Sequence, residues 1–133
     1  MRTVSGRPAK LVPVRRLAPV LDFLSILVFV ALGRREHELG YDLASALRTL
    51  WPFLVGWFAV ALLTKLYLTP SWGRWLITWL GGIVVALGLR ATLGGHDFVL
   101  SFAIVATFAT GAFTGGWRIV VAFVQRRRAT VVN

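Results

Sequence analysis

The sequence predicts an all-α integral membrane protein, a bundle of four membrane-spanning helices with both termini in the cytoplasm (N-in/C-in). Hydrophobic residues make up 57% of the 133 positions and charged residues make up 15%. Side chains of this composition provide too little polar area to cover the surface of a water-soluble fold. The apolar residues form four long runs, and arginine or lysine flanks each run. About twenty apolar helical residues cross the roughly 30 Å hydrocarbon layer of a bilayer.

The four runs set the predicted organisation of the chain. They cover residues 17–33, 50–68, 75–93 and 98–124, so residues 17–124 form one four-span transmembrane domain. Residues 1–16 are predicted to be a basic, disordered cytoplasmic leader, because Gly6, Pro8 and Pro13 interrupt a polar stretch. Residues 125–133 are predicted to be a basic cytoplasmic tail.

The positive charges predict the orientation of the spans. Eleven of the 15 lysines and arginines fall on the side of the two termini, and the other side carries Arg34, Arg35, Arg48 and Arg90. An excess of lysine and arginine marks the cytoplasmic side of a membrane protein. The net charge of +10 lies at the ends of the spans and not along one face, which argues against nucleic acid as a partner. Anionic lipid headgroups are the expected partner of the basic leader.

The segments between the spans carry helix-start and turn signals. Asp42 is predicted to cap a short helix on the membrane surface, in which Leu43, Leu47 and Leu50 share a face. Span two would begin after that helix, with Pro52 in its first turn. Turns are predicted at residues 69–73 and 94–97.

The first span has a competing interpretation as a cleaved secretory signal. The tripeptide Ala31-Leu32-Gly33, with small residues at its first and last positions, resembles a cleavage site after an apolar stretch. A retained anchor is favoured, because the basic lead is long, Asp22 lies within the stretch and Arg34 follows it at once.

Tryptophans and small residues predict how the spans meet lipid and each other. The six tryptophans lie toward the ends of the spans, which is typical of rings in the headgroup zone. The spacings Gly82-x-x-x-Ala86 and Gly111-x-x-x-Gly115 favour close helix contacts. These contacts could form within one chain or between two copies.

Asp22 is the sole acidic residue within a predicted span. A charged side chain costs roughly 2.5–3.5 kcal/mol at the bilayer centre and less near the ends, so this carboxylate needs a partner. Arg118 approaches the same cytoplasmic boundary from span four, and we expect an intramembrane ion pair between the first and last helices. A proton or ion relay and an unpaired carboxylate that reaches toward water are the alternatives.

A second polar group is predicted at the outer face, formed by Arg34, His37 and Arg90. His37 and His96 raise the alternative of a haem, but His96 lies in a glycine turn and not on a facing helix. Pairing of the two arginines with Glu38 or Asp97 is the simpler expectation. The chain has no cysteine and no recognised catalytic or phosphate-binding motif. We therefore expect no metal, no cofactor and no enzymatic activity.

Several of these residues together resemble a known family. The ordered set is Asp22, Phe29 with Gly33-Arg34-x-x-His37, Trp51-Pro52-Phe53 with Gly56-Trp57, Gly88-x-Arg90, and Trp117-Arg118. It resembles the bacterial membrane family called domain of unknown function 3054, over about residues 19–118. The resemblance implies a compact four-helix membrane protein and no assigned activity.

These observations predict a noncatalytic structural or interaction component of the cell envelope, in the cell inner (plasma) membrane. The alternative is a small oligomeric transporter or channel that uses Asp22 and Arg118 in a proton or ion pathway, since four spans alone enclose little room. An enzyme acting on lipids or isoprenoids ranks third, because the outer acidic residues lack a recognised metal-ligand spacing. The bilayer, a second copy of the chain and another membrane protein are the expected partners.

Overall fold

The computed structural model describes residues 14–36, 42–94 and 99–132, and these segments are mainly α-helical. The helices are α1 (Val14–Glu36), α2 (Leu43–Leu63), α3 (Trp72–Thr92) and α4 (Leu100–Val132). All four are long and apolar enough to cross a membrane. The predicted all-α four-helix bundle is thereby confirmed. Most of the predicted leader, residues 1–13, lies outside the described residues, and α1 already begins at Val14.

The four helices form a ring in chain order. Helix α1 contacts α2 and α4, helix α3 also contacts α2 and α4, and the most extensive contact joins α2 and α3. Successive helices run in opposite directions, so the start of α1, the α2–α3 connection and the end of α4 meet at one end of the bundle. We call this the termini end and the opposite one the loop end.

Apolar side chains cover the outside of the bundle as well as its interior. Leu62, Val84 and Phe108 are exposed over 74%, 71% and 69% of their surfaces. Side chains of this kind are stable on the outside of a helix bundle when hydrocarbon surrounds it. The polar backbone groups are bonded inside the helices, as a bilayer requires.

The core is built from aromatic and small side chains. The ring of Phe53 meets that of Phe29 edge to face at 5.2 Å and that of Phe102 at 6.1 Å. Ile26 and Ala106, on α1 and α4, are buried beside them. These contacts join three helices in one apolar cluster in the loop-end half of the bundle.

Glycine allows α2 and α3 to touch through their backbones. A Cβ atom on Gly56 would lie 2.5 Å from the carbonyl oxygen of Gly82 and 2.9 Å from the backbone nitrogen of Ala86. Small residues permit such approach where lipid supplies no hydrophobic drive between helices. The Gly82-x-x-x-Ala86 spacing therefore serves contact within one chain.

Two indole rings of α3 pack against the second pair of small residues, Gly111 and Gly115 of α4. A Cβ atom on Gly111 would lie 2.6 Å from Trp79, and one on Gly115 would lie 2.8 Å from Trp75. The two rings stack at 5.3 Å, and the Trp75 indole nitrogen donates to the Thr114 hydroxyl at 3.2 Å. The prediction of an interfacial belt is wrong for these two tryptophans, because their polar edges face another helix.

Helix α2 begins earlier than the predicted span. The Asp42 carboxylate accepts hydrogen bonds from the backbone nitrogens of Ala44 at 3.3 Å and Ser45 at 3.1 Å, so the residue is an N-cap as predicted. No separate surface helix follows it. One continuous helix runs to Leu63, which makes Pro52 an interior residue and corrects its predicted place in a first turn.

Helix α2 also ends earlier than predicted, at Leu63 and not at residue 68. Lys65 adopts a φ of 54°, in the left-handed region, and the Leu66 amide donates to the Ala61 carbonyl at 3.0 Å. This is the hydrogen bond of a Schellman helix end. The turn buries Leu66 and directs Tyr67 back toward the bundle. At the other terminus α4 continues to Val132, so the predicted tail is helical over residues 125–132.

Candidate functional site

Asp22 is a fully buried carboxylate at the termini end of the bundle, with 0% of its surface exposed. It lies on α1, roughly 12 Å from the first residue of that helix at 1.5 Å per residue. A buried carboxylate is stable only when it accepts several hydrogen bonds or is paired with a cation. The arrangement around Asp22 meets both conditions.

Arg118 of α4 forms a two-pronged ion pair with Asp22. Its Nη1 donates to Oδ1 at 2.5 Å and its Nη2 to Oδ2 at 2.7 Å, and 13% of the arginine side chain is exposed. Nη1 also donates to the carbonyl oxygen of Thr114 at 2.7 Å, and Cζ lies 4.3 Å from the centre of the Trp117 ring. These contacts fix the plane of the guanidinium against the carboxylate.

Two further donors complete the coordination of the carboxylate. The indole nitrogen of Trp117 donates to Oδ1 at 2.9 Å, and the Tyr67 hydroxyl donates to Oδ2 at 2.7 Å. The Tyr67 oxygen in turn accepts a hydrogen bond from the Trp57 indole nitrogen at 2.9 Å. We call these residues, with Arg118, the Asp22 cluster.

The environment keeps Tyr67 in its donor form. Tyr67 lies in the connection between α2 and α3, and burial followed by the neighbouring Asp22 carboxylate raises the pKa of its hydroxyl well above the ordinary value. A phenol of ordinary pKa is already protonated at neutral pH, and the raised pKa keeps Tyr67 protonated in more alkaline solution as well. It acts as a donor to Asp22 and an acceptor from Trp57 at the same time.

The Asp22 cluster joins four parts of the fold. Asp22 comes from α1, Trp57 from α2, Tyr67 from the connection that follows α2, and Trp117 and Arg118 from α4. Four donor groups occupy the two carboxylate oxygens. Within the described ranges no three His, Cys, Asp or Glu side chains come together to hold a metal ion. The chemistry of this site is that of a saturated ion pair.

The structure brings together two of the three residues predicted at the outer face. Arg34 and Arg90 line one cavity of ≈ 410 Å³ at the loop end. The Arg34 Nη1 donates to the Ser45 hydroxyl at 3.0 Å, and the Arg90 Cζ lies 4.3 Å from the centre of the Phe102 ring. His37 lies outside the described residues. The same is true of His96, on which the haem alternative depends, and of Glu38 and Asp97, the predicted partners of the two arginines.

Sequence reasoning missed the role of three side chains in the Asp22 cluster. The sequence pattern predicts Trp57 and Trp117 at the lipid interface and Tyr67 in span two without a partner. A signal for Trp57 exists, because it stands near the middle of an apolar stretch, where its indole nitrogen needs a partner inside the protein. Tyr67 gave no such signal, since its inward direction depends on the turn at Lys65.

A second cavity, of ≈ 480 Å³, lies beside the Asp22 cluster at the termini end. Its lining includes Arg15, Tyr67, Trp117 and Arg118. The polar atoms that Tyr67, Trp117 and Arg118 present here are bonded to Asp22. The cavity therefore reaches the ion pair from the side of Arg118.

Four apolar helices around a buried ion pair define a multi-pass helical membrane protein. A family model described as "Protein of unknown function (DUF3054)" matches residues 19–121. The chain belongs to this family, as its resemblance predicted. Comparison with curated proteins and with solved structures gave no match.

Proposed function

We propose that the protein is a noncatalytic structural or interaction component of the inner (plasma) membrane, with both termini in the cytoplasm. The observation that carries this proposal is the closed coordination of Asp22, whose two oxygens accept four hydrogen bonds while 0% of the residue is exposed. A carboxylate held in this way fastens α1 to α4 and to the α2–α3 connection. It provides a fixed helix arrangement for contacts with lipid or with other membrane proteins.

Four threonine hydroxyls of the bundle also favour a structural role. The hydroxyls of Thr107 and Thr114 donate to carbonyl oxygens one turn earlier in their own helix, at 2.7 Å each. The Thr64 and Thr78 hydroxyls pair with each other at 2.8 Å. A proton or ion pathway needs polar groups that step across the membrane and remain open to the moving ion. The groups named here are bonded locally.

The proposed orientation is supported by the distribution of charge. Arg15, Arg74 and the arginines at residues 126–128 lie on the termini end, which holds most of the positive charge. The cytoplasmic side of a membrane protein carries such an excess. The loop end would then face the outside of the cell.

A transporter or channel formed by several copies is the second candidate. The observation that favours it is the ≈ 480 Å³ cavity that reaches Arg118 from the termini end. In that case the ion pair would open during transport, and Asp22 would become accessible from the cavity. The two candidates therefore differ in the reactivity of one carboxylate.

Carbodiimide labelling separates the two candidates. We expect Asp22 in the folded, membrane-embedded protein to resist both a water-soluble and an apolar carbodiimide, because its oxygens are bonded and buried. Asp42, an exposed N-cap carboxylate in the same chain, is the internal control and should react with the water-soluble reagent. Mass spectrometry of peptides would quantify both sites. Asp22 should become reactive only after unfolding in denaturing detergent.

The contrary result is equally clear. Labelling of Asp22 in the folded protein at a rate near that of the unfolded chain would reject the closed coordination. The transporter candidate would then be preferred.

A further inference from the structure

The cavity at the loop end combines positive charge with apolar walls. All four helices or their flanking residues contribute to its ≈ 410 Å³, a volume in the usual range of ligand pockets. Arg34 and Arg90 supply two guanidinium groups, and Thr49 and Ser101 supply hydroxyls. No carboxylate belongs to the lining residues that the structure describes. The part of the lining that the structure describes is therefore positively charged.

Arg90 carries the evidence for a missing acceptor at this cavity. Its Nη1 atom is buried and has no hydrogen-bond partner among the described residues. The guanidinium lies over the Phe102 ring, with Cζ 4.3 Å from the ring centre, so an aromatic contact fixes its position. A buried charged donor without an acceptor is costly, and a bound anion would remove that cost.

The first turn of α4 adds further donors at the same cavity. Helix α4 begins at Leu100, and Val99, Ser101 and Phe102 all belong to the cavity lining. The first amides of a helix lack partners within the helix and carry partial positive charge. Val99 precedes them and has no side-chain acceptor to cap them. The start of α4 and the arginines of the cavity therefore both favour a negatively charged ligand.

The remaining walls are suited to a hydrocarbon chain. Phe29 and Val30 of α1 form one wall, and Val105 of α4 forms part of the opposite one. Val105 is 62% exposed on the outside of the bundle, so the cavity borders the lipid-facing surface of α4. A ligand with a charged head and an apolar tail would satisfy both kinds of lining.

We propose that this cavity binds a phosphate group, with Arg90 and Arg34 as its cationic contacts and the α4 amides beside them. The phosphate can belong to an anionic phospholipid or exist as free inorganic phosphate, since both present the same oxygens to a guanidinium. The apolar walls favour the phospholipid. This site lies at the opposite end from the Asp22 cluster, so it extends the proposed function to a defined lipid contact.

Native mass spectrometry of the full-length protein in mild detergent tests the proposal. Phosphatidylglycerol, phosphatidylcholine and inorganic phosphate would be added separately. We expect wild-type protein to retain one phosphatidylglycerol more tightly than phosphatidylcholine. Inorganic phosphate at millimolar concentration would displace the lipid if the free ion is the natural ligand, and would leave it bound if the lipid is.

Arg90→Gln is the informative variant and Arg48→Gln its matched control. Arg48 is an exposed arginine near the same end of the bundle and does not line the cavity, so its loss changes the net charge equally. We expect Arg90→Gln to weaken phosphatidylglycerol binding roughly tenfold or more, as loss of a charge-assisted hydrogen bond predicts. Arg48→Gln should leave the affinity within about twofold of wild type, the change expected of a screened surface charge.

Two outcomes would overturn the proposal. One is equal retention of phosphatidylglycerol and phosphatidylcholine by wild-type protein together with no binding of inorganic phosphate, a result that needs no variant to fold. The other is absence of binding of both phosphatidylglycerol and inorganic phosphate by wild-type protein. A gain of binding in Asp97→Asn or Glu38→Gln would then show that the chain's own carboxylate fills the cavity.

Discussion

Replacing Asp22 by asparagine is expected to lower the free energy of unfolding by about 3–5 kcal/mol, the range for breaking a buried ion pair by removing one partner. The amide of asparagine would leave the Arg118 charge uncompensated. It would also turn a donor toward Tyr67 or Trp117, which are donors themselves. Unfolding by denaturing detergent in mixed micelles, followed through tryptophan fluorescence, measures the change.

A double-mutant cycle separates the ion pair from general damage. We expect Asp22→Asn with Arg118→Gln to lose less stability than the sum of the two single variants, by about 1–3 kcal/mol of coupling. Arg126→Gln, an exposed arginine of the same helix, should change the stability by less than about 0.5 kcal/mol. Strict additivity of the two single changes would show that the pair contributes nothing specific.

Exchanging the two charges is not expected to restore stability. An arginine at position 22 would face the hydroxyl of Tyr67 and the indole nitrogen of Trp117, which donate to the present carboxylate. The neighbourhood of Asp22 is built for an anion on α1. Recovery of wild-type stability by the exchange would therefore contradict the described coordination.

Gly56→Ala is expected to be the most damaging substitution of a single methyl group. The added Cβ atom would lie 2.5 Å from the Gly82 carbonyl oxygen and 2.9 Å from the Ala86 nitrogen, and both are backbone atoms of α3. The helices must separate to admit it. We expect a loss of about 3 kcal/mol, at the upper part of the usual range for overpacked cores.

Gly88→Ala is the matched control for this change. It lies on α3, and a Cβ atom there would meet no atom within 4 Å. Thermal unfolding in one detergent should show no loss for Gly88→Ala, since alanine is the better helix former, and a clear loss for Gly56→Ala. Equal stability of the two variants would reject the close contact of α2 with α3.

The ion pair could be predicted from the sequence for two reasons. A charge within the membrane is energetically costly and needs a partner, and the depth of that charge in the membrane restricts the choice of partner. Asp22 lies within an apolar run where a charge is expensive, and Arg118 approaches the same boundary from the last span. Tyr67 could not be predicted in this way. Its place beside Asp22 depends on the left-handed φ of Lys65, a lysine where glycine would have marked the turn.

Span limits and tryptophan positions were harder to predict for a different reason. Hydropathy does not register the start of a helix that an aspartate caps ahead of the apolar run, so α2 begins at Leu43 and not at residue 50. An indole is equally suited to the headgroup zone and to a polar atom of a neighbouring helix. The indole rings of Trp75 and Trp79 pack against glycines of α4. Only the three-dimensional structure shows that these two rings face a neighbouring helix and not the headgroup zone.

We propose that four helices cross the membrane with both termini on the cytoplasmic side. Reporter domains placed after residue 132 and within residues 37–41 of the full chain test this topology. We expect a reporter that is active only in the cytoplasm to work at the tail, and one that is active only outside the cytoplasm to work at residues 37–41. Activity of both positions on the same side of the membrane would contradict it.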